Sequence, residues 1–262
     1  MQTEKVVHHI VNWLKDYATK AGVNGFVIGI SGGIDSAVTS ALCAKTGLEV
    51  LCVEMPIHQA YSQVARAMNH INWLQSNFDK VSMIKVNLTP IFDSLINELP
   101  PVANEEDRSM SLANTRARLR MTTLYYFAAI NKLLVAGTGN KVEDFGIGFY
   151  TKYGDGGVDL SPIADLLKTE VYEIAKYLKI NEEIIKAAPT DGLWGDDRTD
   201  EDQIGASYPE LEWAMLMKEA GKTPNDFEGR QKKVFEIYNR YNSSNKHKMT
   251  PIPVCEIPKH LK

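Results

Sequence analysis

Apolar positions along this chain of 262 residues alternate between two spacings. Val6, Val7, Ile10, Val11 and Leu14 recur as one face of a helix, so the chain opens with an amphipathic helix. Phe26-Val27-Ile28 is a short apolar run bounded by glycines, which predicts a buried strand over 25–30. The run Ala37 to Ala44 predicts a packed helix over 35–46. Glu49 to Met55 reads as a second buried strand that Pro56 ends. Ser62 to Phe78 is helical, with Val64, Ala65, Met68, Ile71, Trp73 and Leu74 among its apolar positions. Val81 to Val86 is a third strand, and Thr89 to Leu99 a short helix stopped by Pro100-Pro101. Residues 102–110 are acidic and polar and read as a loop. Ser111 to Asn131 is a long helix, and residues 132–139 are a fourth strand running into a glycine turn. This alternation predicts an α/β fold with a mostly parallel sheet and helices on both faces. Ligands of such sheets sit beyond the carboxyl ends of the strands. The glycine turns at 31–33 and 137–139 both fall there.

The pattern changes after residue 145. Gly146 to Asp159 carries too many glycines for a regular element. Asp165 to Leu178 is helical, and Pro209 to Glu219 and Asp226 to Asn242 are closing helices. Pro189 to Tyr208 is polar and acidic without a core period; a loop of about 20 residues in a compact domain is usually functional, and a lid carrying Trp194 is expected. No repeat or linker divides the chain, so residues 1–262 are expected to form a single domain.

Composition narrows the function classes. A hydrophobic content of 44% suffices for a substantial core. Net charge is −4, and Lys246-His247-Lys248 is only a short basic run, which disfavours nucleic acid as a partner. Cys43, Cys52 and Cys255 match no metal spacing; Cys43 and Cys52 read as buried small hydrophobes in a reducing compartment. No apolar run approaches the ~18 residues of a membrane span and the first residues lack a signal layout, so no membrane contact and a cytoplasmic location are expected.

Residues 29–36, Gly-Ile-Ser-Gly-Gly-Ile-Asp-Ser, join the first strand to its helix. A strand, a small-residue turn and a helix make a phosphate cradle. Gly32 and Gly33 let the backbone approach an anion. The helix start offers free N–H groups and its positive dipole end, and Ser31 and Ser36 add hydroxyls. Asp35 repels phosphate unless a cation intervenes, which suggests Mg²⁺. The run lacks the Gly-Lys-Ser/Thr of the common P-loop and the spacing of the dinucleotide fingerprint. It resembles the PP-loop of the ATP pyrophosphatases.

Three further runs narrow the resemblance. They are Asn114-Thr115-Arg116-Ala117-Arg118-Leu119-Arg120-Met121, Gly137-Thr138-Gly139-Asn140-Lys141-Val142-Glu143, and Thr151-Lys152-Tyr153-Gly154-Asp155-Gly156-Gly157-Val158-Asp159. Together with Ser161-Pro162, Lys168 and Pro189-Thr190, they resemble the ammonia-dependent NAD⁺ synthetase family over nearly the whole chain. The resemblance implies a doubly wound sheet, a homodimer, and ATP-dependent amidation of deamido-NAD⁺ by ammonia through an adenylated carboxylate. It implies ATP at Gly29, Ile30, Ser31, Gly32, Gly33, Ile34, Asp35, Ser36, Thr138, Lys168 and Thr190. Mg²⁺ falls to Asp35 and Glu143, and deamido-NAD⁺ to Arg118, Lys152, Asp159, His247 and Lys248. Asp155 has a use in orienting ammonium and accepting its proton.

Plainer readings stand beside these: Glu143 as a solvated loop residue, Lys168 as an exposed helix lysine, Asp155 as a turn residue, and Arg116 and Arg120 as surface or interface charges. Another PP-loop amidating ligase and a regulatory module that binds nucleotide without catalysis are the competing functions. The stretch Asp144 to Tyr150 is one residue longer than in common bacterial members, and Asn140 stands where many carry His. No glutaminase domain of about 250 residues is expected here, so ammonia is expected to come from solution or from a separate protein.

Overall fold

The computed structural model describes residues 1–190 and 199–262, so the central part of the expected lid, Trp194 included, lies outside the described residues. Its sheet has four strands: β1 (Gly25–Gly29), β2 (Glu49–Glu54), β3 (Val81–Lys85) and β4 (Leu133–Val135). All pair in parallel, in the order β3-β2-β1-β4. The chain steps outward from β1 to β3 and then returns to the other side of β1. Strand order therefore reverses between β1 and β4, where doubly wound sheets open a crevice for ligands.

Side chains alternate across each strand, and both faces are covered. Phe26, Ile28, Val50 and Cys52 pack with α1 (Thr3–Ala21), α2 (Ile34–Lys45) and α3 (Tyr61–Asn77). Val27, Leu51, Val53 and Val135 pack with α4 (Thr89–Glu98) and α5 (Glu105–Asn131). With both faces buried, the strands read as continuous apolar runs rather than alternating ones. Burial pushes the Cys43 and Cys52 thiols up, the latter to about 12, which fits inert core residues.

Several elements differ from expectation. Helix α5 starts at Glu105, inside the segment read as a loop. Asn104 caps it by accepting from the Glu106 and Asp107 amides, and Glu105, Glu106 and Asp107 complement the positive end of the helix. Strand β4 stops at Val135, but the sheet continues through Gly137 N–H donating to Leu160 O (2.8 Å) and Asp159 N–H donating to Val135 O (3.0 Å). The glycine-rich segment thus returns to the sheet edge. Val142–Ile147 forms a π-helical turn, and the expected extra residue falls in this region.

Beyond it lie α6 (Lys168–Tyr177), α7 (Glu182–Ile185), α8 (Asp200–Ile204), α9 (Tyr208–Glu219), α10 (Gly229–Ser244) and α11 (Lys246–Met249). Helix α8 occupies part of the stretch expected to lack regular structure. The expected helix from Asp165 begins at Lys168 instead. No helix among the described residues is long and apolar enough to cross a membrane.

One core contact carries a stability prediction. His70 of α3 is fully buried, stacked on Trp73, with Nε2 2.9 Å from Ser40 Oγ. Ser40 Oγ also lies 3.0 Å from Ala37 O, and buried Nδ1 of His70 has no hydrogen-bond partner among the described residues. Burial holds the imidazole pKa at about 4, below the ordinary 6.5. The unfolded chain therefore protonates first as pH falls. Stability present above pH 6.5 is expected to drop by ~3 kcal/mol on acidification to pH 4. Urea unfolding across this range checks it: in His70→Met that component of the slope should vanish, and an unchanged slope refutes the assignment.

Candidate active site

A cavity of about 280 Å³ opens at the reversal point between β1 and β4. It is lined by Gly29 through Ser36, Thr138, Glu143, Asp155, Lys168 and Thr190.

The loop after β1 is held by its own short side chains. Ser31 N–H donates to Ser36 Oγ (3.3 Å), Gly33 N–H donates to Ser31 Oγ (3.2 Å), and Ser36 Oγ donates to Gly33 O (3.0 Å). Gly32 has φ +82°, and a Cβ there would stand 2.7 Å from Gln63 O of α3. Gly33 caps α2 in extended geometry. The turn therefore directs the start of α2 at the cavity, a ready site for an anionic group.

Asp35, on the first turn of α2, meets Lys168 at the start of α6. Lys168 Nζ donates to Asp35 Oδ2 (2.5 Å) and Glu143 Oε1 (3.0 Å), and Lys168 is 2% exposed. This overturns its reading as an exposed helix lysine. Burial alone lowers a lysine pKa; here the charges and hydrogen bonds of Asp35 and Glu143 outweigh it and carry Lys168 above its ordinary range. Burial pushes Asp35 upward, with the ammonium opposing. Glu143 is likewise no plain solvated loop residue: it also accepts from Tyr208 OH (2.5 Å), and the Lys168 ammonium lies 4.6 Å from the Tyr208 ring centroid. Asn140 braces the cluster, donating to Asp35 Oδ1 (3.2 Å) while its own Oδ1 accepts from the Val142 and Glu143 amides.

Asp155 accepts from Thr151 N–H (2.9 Å), as a turn carboxylate does, and also lines the cavity. Enclosure by protein raises its pKa, opposed by that hydrogen bond, with Glu143 adding to the rise. Asp144 also lines the cavity. Burial, then Glu143, Asp155 and Asp35, lift its carboxyl to about 8. Its carboxylate packs so closely on Gly139 that a Cβ there would meet it at 2.1 Å.

The residues expected at the second substrate lie outside the cavity wall. Arg118 Nη2 donates to Lys152 O (3.3 Å), and Lys152 Nζ donates to His247 O (2.8 Å). Lys248 Nζ donates to Gly148 O and Tyr150 O. Asp159 accepts from Tyr125 OH (3.0 Å) and Val135 N–H (2.8 Å), so it anchors the β4 edge. The three arginines of α5 diverge. Arg116 stacks on Phe92, Arg118 reaches Lys152, and Arg120 lines the cavity and donates to Met55 O (3.1 Å) and Gln59 Oε1 (2.7 Å). The reading of Arg120 as a surface charge is thereby corrected.

Sequence reasoning missed Asp144, Tyr208 and Arg120. Only Arg120 left a signal, its position within Asn114–Met121.

A parallel sheet with this loop and a carboxylate–lysine cluster at its reversal point defines a PP-loop α/β protein. The chain belongs to the NAD synthase family, whose model matches residues 6–252. It is 40% identical to an NH₃-dependent NAD⁺ synthetase of Carboxydothermus hydrogenoformans over 86% of this chain and 90% of that protein. Among solved structures, the NMN synthetase of Francisella tularensis superposes with a TM-score of 0.83 at 29% identity, covering 99% of both chains. The NH₃-dependent NAD synthetase of Campylobacter jejuni superposes with a TM-score of 0.78 at 25% identity, covering 98% of this chain and 100% of that one.

Proposed function

We propose that this chain amidates a nicotinate carboxylate with ammonia by way of an acyl-adenylate made from ATP. The activity is ammonia-dependent NAD⁺ synthesis, a ligase reaction of NAD biosynthesis, with ATP, deamido-NAD⁺ and ammonia as substrates. The observation that carries the reading is the meeting of the PP-loop with Asp35, Lys168 and Glu143 in one cavity.

A carboxylate is a poor acyl donor because oxide would have to leave. Its oxygen attacks the α-phosphorus of ATP, the bond to the β-phosphate breaks, and pyrophosphate departs. Ammonia then attacks the acyl carbon and AMP leaves. The first step brings anion to anion, so charge must be neutralised around the phosphates. The N–H groups at the start of α2, presented by the small-residue loop, grip the departing pyrophosphate. Lys168 supplies a fixed cation beside it, and Thr138 and Thr190 contact ATP. Asp35 and Glu143 fit Mg²⁺, which takes one or two protein carboxylates and completes its shell with phosphate oxygens and water. When bound, it supplies further charge neutralisation on the phosphates. Arg118, Lys152, Asp159, His247 and Lys248 receive deamido-NAD⁺, and Asp155 accepts the proton that ammonium must lose. Tyr126 and Ile130, exposed on α5, suit a homodimer contact.

Purified protein given ATP, Mg²⁺, ammonium and deamido-NAD⁺ is expected to yield NAD⁺, AMP and pyrophosphate in equal amounts; no product at any pH rejects the proposal. In the same assay Asp155→Asn should slow amide formation by ~10²-fold while adenylation, followed by pyrophosphate exchange, changes little. Equal losses in both half-reactions would remove its proton-accepting role. A second reading, amidation of the mononucleotide, is favoured by the close superposition on the NMN synthetase. The corresponding nicotinate mononucleotide, offered in competition, decides between the two by the ratio of kcat/KM.

A further inference from the structure

Helix α3 packs directly against the PP-loop. A Cβ on Gly32 would lie 2.7 Å from Gln63 O, 3.2 Å from Ala67 N and 3.3 Å from Arg66 Cβ. The root of the Arg66 side chain is therefore fixed beside the loop, and the side chain lines the cavity. Its Nε donates to Gly32 O at the long distance of 3.4 Å. That is its one hydrogen bond among the described residues, so the terminal nitrogens of the guanidinium keep their donors. The other cations of the cavity are committed. Lys168 is shared between Asp35 and Glu143, so the three together carry a net negative charge. Arg120 spends donors on Met55 O and Gln59 Oε1. A triphosphate held at this loop thus meets Arg66 as a cation with an open fork. Arg66 lies in none of the runs that carry the family resemblance.

We propose that Arg66 is a further catalytic residue of this chain, closing its guanidinium fork on the two terminal phosphates of ATP and holding them as they depart as pyrophosphate. This rests on the ATP-dependent reading above. A planar fork matches two phosphate oxygens at once, which a lysine ammonium cannot do. The long bond to Gly32 O is weak and is readily exchanged for such a contact. As the carboxylate oxygen bonds to the α-phosphorus, the bond to the β-phosphate breaks and its electron pair passes to the pyrophosphate. Charge therefore builds on the group beside Gly32, and a cation there binds the transition state more strongly than the ground state. The adenylate half of the nucleotide stays on the other side of the breaking bond and gains nothing from Arg66.

Calorimetric titration with inorganic pyrophosphate and with AMP, each with Mg²⁺, reads the contact without turnover. Arg66→Met is expected to weaken pyrophosphate binding roughly 10- to 100-fold and AMP binding by less than about twofold. Arg66→Lys keeps the charge without the fork and should recover part of the lost pyrophosphate affinity. Pyrophosphate exchange into ATP, which reports adenylation, should fall by ~10²-fold in Arg66→Met, through kcat as well as KM. A residue that only packs α3 against the loop would weaken both probes alike. Equal losses for the two probes, or an unchanged pyrophosphate affinity, overturn the proposal. Should a thermal melt show Arg66→Met unfolded, Arg66→Lys carries the test: pyrophosphate must weaken there while AMP does not. A wild-type protein that binds neither probe overturns the ATP-dependent reading and this proposal with it. Wild-type binding of both, with no such split in the variants, overturns only the role of Arg66.

Discussion

Lys168→Met is expected to abolish product formation, by ~10³-fold, and to lower stability by about 3 kcal/mol. Lys168 holds together two carboxylates from distant segments, at 2.5 Å from Asp35 and 3.0 Å from Glu143. Removing the ammonium leaves two enclosed negative charges facing each other and facing any incoming phosphate. Both losses have one origin, and a second substitution separates them. Adding Asp35→Asn removes one of the stranded charges, so stability should recover in part while activity stays lost. Denaturant unfolding and pyrophosphate release measure the two. Activity above a tenth of wild type in Lys168→Met would show that the ammonium has no part in the chemistry. Full stability would show that Asp35 and Glu143 do not depend on it.

The second large effect separates the two adjacent glycines of the phosphate loop. Gly32→Ala forces an L residue to φ +82° and places its Cβ 2.7 Å from a backbone oxygen of α3. The left-handed conformation alone costs about 1–2 kcal/mol, and a helix backbone does not yield as a side chain does. A total loss of ~3 kcal/mol and a rise of ~10²-fold in KM for ATP are expected. Gly33→Ala sits at φ −92° and meets only Ser31 Oγ, at 3.3 Å. It should unfold close to wild type, with a smaller rise in KM from the shifted serine. Melting curves and ATP titrations of the pair check this; equal behaviour would mean that α3 does not constrain the loop.

That contrast marks where sequence reading stops. Both glycines carry the same meaning in the motif, as points where backbone can approach an anion. Which of them is also wedged under a neighbouring helix depends on Gln63 and Ala67, residues the motif does not contain. Arg116, Arg118 and Arg120 are similar. Their spacing shows that they cannot share one face of a helix, and only the packed structure sends Arg120 into the cavity and Arg116 onto Phe92.

Helix α5 is a miss of another kind. Asn104 followed by three acids is a local start signal, legible in principle but outweighed by the polarity of the segment.

Local order along the chain was determined by the sequence alone. Runs of apolar residues between glycines and prolines define β1 to β3, helical spacing defines α1 and α3, and residues 29–36 specify a phosphate-binding turn. These depend on backbone sterics and on the period of burial, which act over a few residues. The tertiary structure decided which charges meet. Lys168 lies 133 residues from Asp35, and Tyr208 lies 65 from Glu143. A lysine on a polar helix start looks solvated until the reversal of strand order carries it beneath two carboxylates. The same holds for Arg66, a helix residue whose place beside the loop no local pattern records. Ionic and hydrogen-bonding partners are chosen by distance in space, and that distance is set by the packing of the whole sheet.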